Sequence, residues 1–218
     1  MSDAHDIAEL YAQVYAHPDD DHVRQVLADA LISIGDPRGQ LILMQLQPAA
    51  DQLREVMGLL QRHGLSWLGR LRDVVVPLAY ERGFLASCLV VTDVRPVIAV
   101  DEWATVHTIE LPVARFLDFA LHPVMRALKR LVNPAPELLV NLAARHGEQL
   151  AQLAIEMPFS PALPDVLSRY LPPNAIRALT VHGVPAQARA TLARAAARHT
   201  GVALVGPAFE DRYDDTDE

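Results

Sequence analysis

Nine histidines, 27 aspartates and glutamates and a single cysteine are the groups in this 218-residue sequence that could do chemistry. The densest candidate is Asp19-Asp20-Asp21-His22. Consecutive side chains at a helix start cannot all converge on one ion, so capping is the simpler use of these acids. There is no HExxH pair and no second cysteine to make a zinc site, so neither a metal nor another cofactor is expected. No GxSxG sets a serine on a nucleophile elbow, and neither GxxxxGK[ST] nor GxGxxG supplies a cradle for phosphates. Cys88 lies in Leu85-Ala86-Ser87-Cys88-Leu89-Val90-Val91 with no adjacent base or cation to lower its pKa, and is read as a packing or surface thiol. The expected set of catalytic residues is therefore empty, and the chain is expected not to be an enzyme.

Helices come first among the elements that would hold such residues. Ile7, Leu10, Tyr11, Val14 and Tyr15 step by three and four, predicting a helix over 6–16 that His17-Pro18 stops. The acids at 19–21 then cap a second helix, in which Val23, Val26, Leu27, Ala30, Leu31 and Ile34 form an apolar stripe with Arg24 and Asp29 on its flanks. Gly35-Asp36-Pro37-Arg38-Gly39 makes a turn, and Leu41 to Leu46 a third, sandwiched helix. Arg24, Asp29, Asp36 and Arg38 are expected to act as structural ion pairs and caps, with a partner-contact surface as the alternative.

These stretches carry a resemblance. His17-Pro18-Asp19-Asp20-Asp21, Arg24, Val26-Leu27-Ala28-Asp29-Ala30-Leu31 and Gly35-Asp36-Pro37-Arg38-Gly39-Gln40 resemble the bacterial repeat-companion domain over about residues 5–47. Ala30 departs from it, since many members carry tryptophan there. Trp67-Leu68-Gly69 and Glu81-Arg82-Gly83-Phe84-Leu85 are similar to the stretch that often follows that module. The resemblance implies a companion to repeat arrays, frequently leucine-rich ones, and no chemistry.

The second half shows its own periodicity. An apolar residue, two others, an apolar residue, one other and an apolar residue recur as Ala86-Leu89-Val91, Val106-Ile109-Leu111, Leu150-Leu153-Ile155 and Ile176-Leu179-Val181, with an imperfect copy at Met125-Leu128-Leu131. The central residues stand 20, 19, 25 and 26 apart, inside the roughly 20 to 29 residue period of leucine-rich repeats. Helical segments are predicted between them at 113–121, 136–146, 165–170 and 186–199. The expected fold is thus α/β: an N-terminal helical module capping a short leucine-rich-repeat-like βα solenoid with a parallel sheet. The expected divisions are a helical module over 1–65, divergent repeats over 66–208 and an acidic tail over 209–218.

In such a strand the apolar triplet points into the core and the residues between line the open face. Thr108, Glu110, Gln152, Glu156, Thr180 and His182 fall on that face together with Ala154 and Ala178, and Lys129 is grouped with them; this is the expected partner-binding surface. The partner is expected to be another protein. The formal charge of -8 argues against nucleic acid, whose phosphates reward a basic surface. No apolar run approaches the roughly 18 residues of a membrane span, and the N-terminus lacks a secretion signal. One cysteine permits no internal disulfide, so a cytoplasmic location is expected. A noncatalytic adaptor or scaffold is the leading expectation; an inhibitor or immunity-type regulator of a partner enzyme is the alternative, and a cryptic hydrolase ranks below both.

Overall fold

The computed structural model describes residues 2–111, 122–199 and 201–206. The chain is a mixed α/β fold of two compact units, Met1–Arg130 and Leu131–Glu218, with seven strands among the described residues, mostly parallel.

The first unit begins with helices α1 (Ser2–Ala16), α2 (Asp21–Ser33), α3 (Pro37–Leu46) and α4 (Leu53–His63). Asp20 caps α2 by accepting from the backbone N–H groups of His22 and Val23, at 2.9 and 3.3 Å. Asp36 does the same for α3 through the Arg38 N–H at 2.8 Å, with Pro37 in the first turn, where its missing N–H is harmless. Gly39 lets α2 and α3 cross closely: a Cβ there would sit 2.6 Å from the Ala28 carbonyl oxygen. The apolar stripe of α2 is narrower than its sequence pattern. Leu27, Ala28 and Leu31 are buried with Val14, Ile42 and Phe84, whereas Val26 and Ile34 are exposed.

A hairpin follows, with β1 (Val75–Glu81) antiparallel to β2 (Phe84–Val90), and β2 is parallel to β3 (Thr108–Glu110). Arg82 and Gly83 form the hairpin turn with φ of +51° and +81°, the positive pair of a type I′ connection. The expected boundary between 65 and 66 falls inside this unit, because residues of α2 and α3 are bonded directly to the hairpin turn. The first repeat copy is also out of phase. Ala86, Cys88 and Val90 face the core, while Leu89 is half-buried and Val91 exposed. The antiparallel register with β1 sets that alternation, and a one-residue slip exchanges the two faces.

Val106, Ile109 and Leu111 are buried as the periodicity requires. Strand β4 (Arg130–Val132) buries Leu131, so its centre lies three residues past Leu128.

In the second unit, α5 (Pro136–Leu150) leads to β5 (Ala154–Pro158), and a short turn of helix, α6 (Leu163–Asp165), runs into a π-helical turn over Val166–Tyr170. Strand β6 (Ala178–His182), α7 (Ala186–Ala196) and β7 (Val202–Leu204) complete it. Strands β5, β6 and β7 are parallel, with Ile155 paired to Leu179 and Leu179 to Val202, steps of 24 and 23 residues. The expected centre at Leu153 precedes the strand by one residue; Leu153 and Ile155 are both buried, so the assignment of faces survives the two-residue shift. Helix enters strand-to-helix corners in the same way twice: Asn133 and Gly183, at φ +54° and +67°, follow β4 and β6, and an extended residue, Ala135 or Pro185, then starts the helix. The segment 113–121 and the tail 209–218 lie outside the described residues.

Candidate functional site

Arg24, expected on a helix flank, and Arg38, expected in the turn after that helix, are both buried, and they organise the polar chemistry of the first unit. Arg24 donates through Nη1 to the Arg82 carbonyl at 3.0 Å and through Nη2 to the Pro18 carbonyl at 2.6 Å. Arg38 Nε donates to the Gly83 carbonyl at 2.9 Å. The guanidinium carbons of Arg24 and Arg38 stand 4.7 and 4.3 Å from the centre of the Phe84 ring. Carbonyls and an aromatic face thus hold these charges, in place of the ion pairs with Asp29 or Asp36 that the spacing suggested. Burial lowers the Arg24 pKa to about 10, and the neighbouring Arg82 charge pushes the same way. Gln45 completes the clamp, its Oε1 accepting from the Gly83 N–H at 2.7 Å and its Nε2 donating to the Tyr80 carbonyl at 2.8 Å.

A charged rim continues from the hairpin turn. Arg82 pairs with Asp21 at 3.0 Å and Asp19 at 3.5 Å, and Lys129 Nζ reaches the same Asp19 oxygen at 3.6 Å. Glu81 lies 3.1 Å from His107 Nε2, whose Nδ1 is 3.0 Å from Thr108 Oγ1. Hydroxyl, imidazole and carboxylate stand in the order of an acyl-transfer triad, but with the ring reversed and the hydroxyl on the adjacent residue. What the line does locally is tie the end of β1 to the start of β3. The His107 backbone adds to this, donating to the Ala86 carbonyl and accepting from Lys129 and Arg130, each at 2.9 Å.

The residues expected on the sheet face distribute unevenly. Thr108 and Glu110 are half-buried on β3, opposite Ser87 and Leu89 of β2. Glu156 and Thr180 are neighbours across the β5/β6 rung, half-buried, and His182 is exposed opposite Pro158. The residues between them, Ile155, Met157, Leu179 and Val181, are buried. Gln152 is exposed in the turn before β5, outside the strand. Lys129 precedes β4 and belongs to the charged rim through Asp19. Of the expected residues, Thr108 and Glu110 therefore lie on β3 of the first unit, and Glu156, Thr180 and His182 on β5 and β6 of the second.

Cys88 is fully buried on β2, and desolvation pushes its thiol up to about 12. That environment disfavours the thiolate a nucleophile needs. Among the described residues, no group of three or more histidine, cysteine or acidic side chains is placed to hold a metal ion, and no helix is long and apolar enough to cross a membrane.

Sequence reasoning missed Glu81, His107 and the buried setting of Arg24. The signal available for Arg24 was its place one helical turn before the buried Leu27 and Ala28; Glu81 and His107 are 26 positions apart and meet only through strand pairing. Comparison with family models, with curated proteins and with solved structures finds no match for this chain.

Proposed function

We propose that the chain is a noncatalytic protein-binding module that engages its partner through the open face of its strands. The observation that carries this reading is the alternation on β5 and β6. Ile155, Met157, Leu179 and Val181 are buried while Ala154, Glu156, Ala178, Thr180 and His182 lie on the uncovered side. Small side chains with isolated polar groups make a shallow surface, which suits another macromolecule better than an enclosed substrate.

On this reading the strand-and-helix periods of 24 and 23 residues in the second unit are divergent leucine-rich-like repeats of a short solenoid. Helices α1–α3, packed on Phe84 of β2, are a repeat-companion-like cap that covers the apolar start of the strands. The meeting of the two stretches that carry the resemblance supports this: Arg24 and Arg38 belong to one, and Arg82, Gly83 and Phe84 to the other.

The experiment is affinity capture with the whole chain, followed by repetition with Thr180→Arg and Glu156→Arg. A partner retained by the wild-type chain and lost by both variants, with unfolding midpoints unchanged, supports the reading. A partner captured equally by both variants and by Thr108→Arg would remove the sheet face from consideration.

A further inference from the structure

Val166–Tyr170 form a π-helical turn, closed by the Leu171 N–H donating to the Val166 carbonyl at 3.1 Å. Such a turn holds one residue more than an α-helical one and displaces the carbonyls that precede it. Two carbonyls within the turn, those of Leu167 and Ser168, are taken up by residues that follow α7. His199 Nε2 lies 2.9 Å from the Leu167 carbonyl oxygen, which can only accept, so Nε2 carries the proton; Arg198 Nη1 donates to the Ser168 carbonyl. The Ser168 hydroxyl in turn donates to the Pro164 carbonyl at 2.7 Å. With His199 buried behind it, the turn is held from that side.

On its other side the same turn lines a cavity of about 430 Å³ with α5. Val140 and Val166 supply aliphatic walls, Glu137 and Asp165 carboxylates, Asn141 an amide, and Tyr170, an exposed residue, an aromatic ring. The Asn141 Nδ2 group donates to the Glu137 backbone carbonyl at 3.2 Å. Asp165 is paired with Arg169 at 3.4 Å, and both side chains are more than 60% exposed. An exposed pair of that kind contributes little, so an incoming cation competes for Asp165 at small cost. The volume falls within the range of small-ligand pockets.

We propose that this cavity binds a positive group on an apolar stem, an alkylammonium or alkylguanidinium. The stem packs on Val140 and Val166, the charge lies between Glu137 and Asp165, and the Tyr170 ring face completes the contact as a cation–π partner. The cavity is separate from the sheet face, and its occupancy does not depend on that reading. The same chemistry can arrive as a free amine or as a lysine or arginine side chain.

The test is a titration of the full chain, isotopically labelled for NMR, with butylguanidinium, butylammonium and the neutral 1-pentanol. A blocked arginine-containing peptide forms a further arm. Saturable shifts confined to residues around 137–141 and 162–170 are expected for both cations, with 1-pentanol about tenfold weaker. The Glu137→Gln/Asp165→Asn double variant should weaken the cations about tenfold and leave 1-pentanol unchanged, and Tyr170→Leu should weaken them about threefold. Glu81→Gln, in the other unit, should change nothing. The peptide binding more tightly than butylguanidinium identifies a protein source, and equal affinity a free cation. Equal affinity for 1-pentanol and the cations, cation binding unchanged in the double variant, or no saturable shift would overturn the proposal. The two carboxylate substitutions are at exposed positions, so they test the site even where Tyr170→Leu perturbs folding.

Discussion

Arg38 Nε reaches the Gly83 carbonyl at 2.9 Å across 45 residues of sequence, and the same guanidinium lies 4.3 Å from the centre of the neighbouring Phe84 ring. One planar cation thus satisfies a buried carbonyl and an aromatic face together, which lysine's single ammonium on a flexible stem does not reproduce. Arg38→Ala and Arg38→Lys are each expected to lower unfolding free energy by about 2 to 4 kcal/mol in urea titrations, combining the lost cation–π contact with an orphaned carbonyl. Full stability in Arg38→Lys would show that charge alone is what the position requires.

Gly39 makes a second, steric prediction. A methyl group there meets the Ala28 carbonyl at 2.6 Å and the Ile32 side chain at 2.8 Å, on the helix that α3 crosses. The side chain can turn away, but the carbonyl belongs to the α2 backbone. Gly39→Ala should cost about 1 to 3 kcal/mol despite its better helix propensity, as read from the shift of the urea midpoint at constant slope. A gain in stability would show that α2 and α3 separate without penalty.

Alkaline pH acts on several buried groups at once. Burial pushes the Cys88 thiol from 9.0 up to about 12, and the Tyr15 and Tyr80 hydroxyls from 10.0 up to about 12. Between those values the unfolded chain has lost the proton and the folded chain keeps it, so stability falls as pH rises through the window of about 9 to 12. Arg24 works the other way: burial lowers its folded pKa to about 10, below its ordinary value, so its contribution to stability rises with pH above about 10. Three groups against one give a net loss. Denaturation at pH 8, 9, 10 and 11 should show it, and Cys88→Ala should flatten the earliest part of the decline. A curve that rises through pH 11 would contradict this account.

The π-helical turn offers a local prediction. His199→Leu preserves bulk but leaves the Leu167 carbonyl without its side-chain donor, at an expected cost of about 1 to 3 kcal/mol. Hydrogen exchange should quicken first at the amides of residues 167–171, ahead of β5 and β6. Uniform quickening across the second unit would mean that the turn unfolds only with the whole unit.

Much of the fold was legible as pattern. The caps at Asp20 and Asp36, the start of α5 at Pro136 and the burial of Val106, Ile109 and Leu111 follow from local chemistry and spacing. Helix α4 and strand β1 went unread. Leu59 of α4 is buried while Leu53 and Met57 remain exposed, so its apolar positions split between core and surface, and Pro77 interrupts a β1 whose register also shifts twice. Phase in β2 was misread because Leu89 and Val91 look more core-like than Cys88, and only pairing with β1 decides between them. Of the expected face, Thr108, Glu110, Glu156, Thr180 and His182 lie on strands. Lys129 and Gln152 do not, since each precedes its strand, and Lys129 is paired with Asp19, more than a hundred positions earlier. Long-range ion pairs of this kind leave no periodic trace.

The clamp on the hairpin turn also bears on inheritance. Its side chains stand at positions 24, 38 and 45, and the hairpin backbone groups they bind at 80, 82 and 83. A recombination event joining foreign sequence anywhere from 47 to 79 would set the buried guanidinium groups against a hairpin turn, and a residue 84, not selected to receive them. A junction between 24 and 45 would likewise divide the three side chains from one another. The stretch from 18 to 84 is therefore expected to pass between genomes intact, and to tolerate shuffling only at its ends.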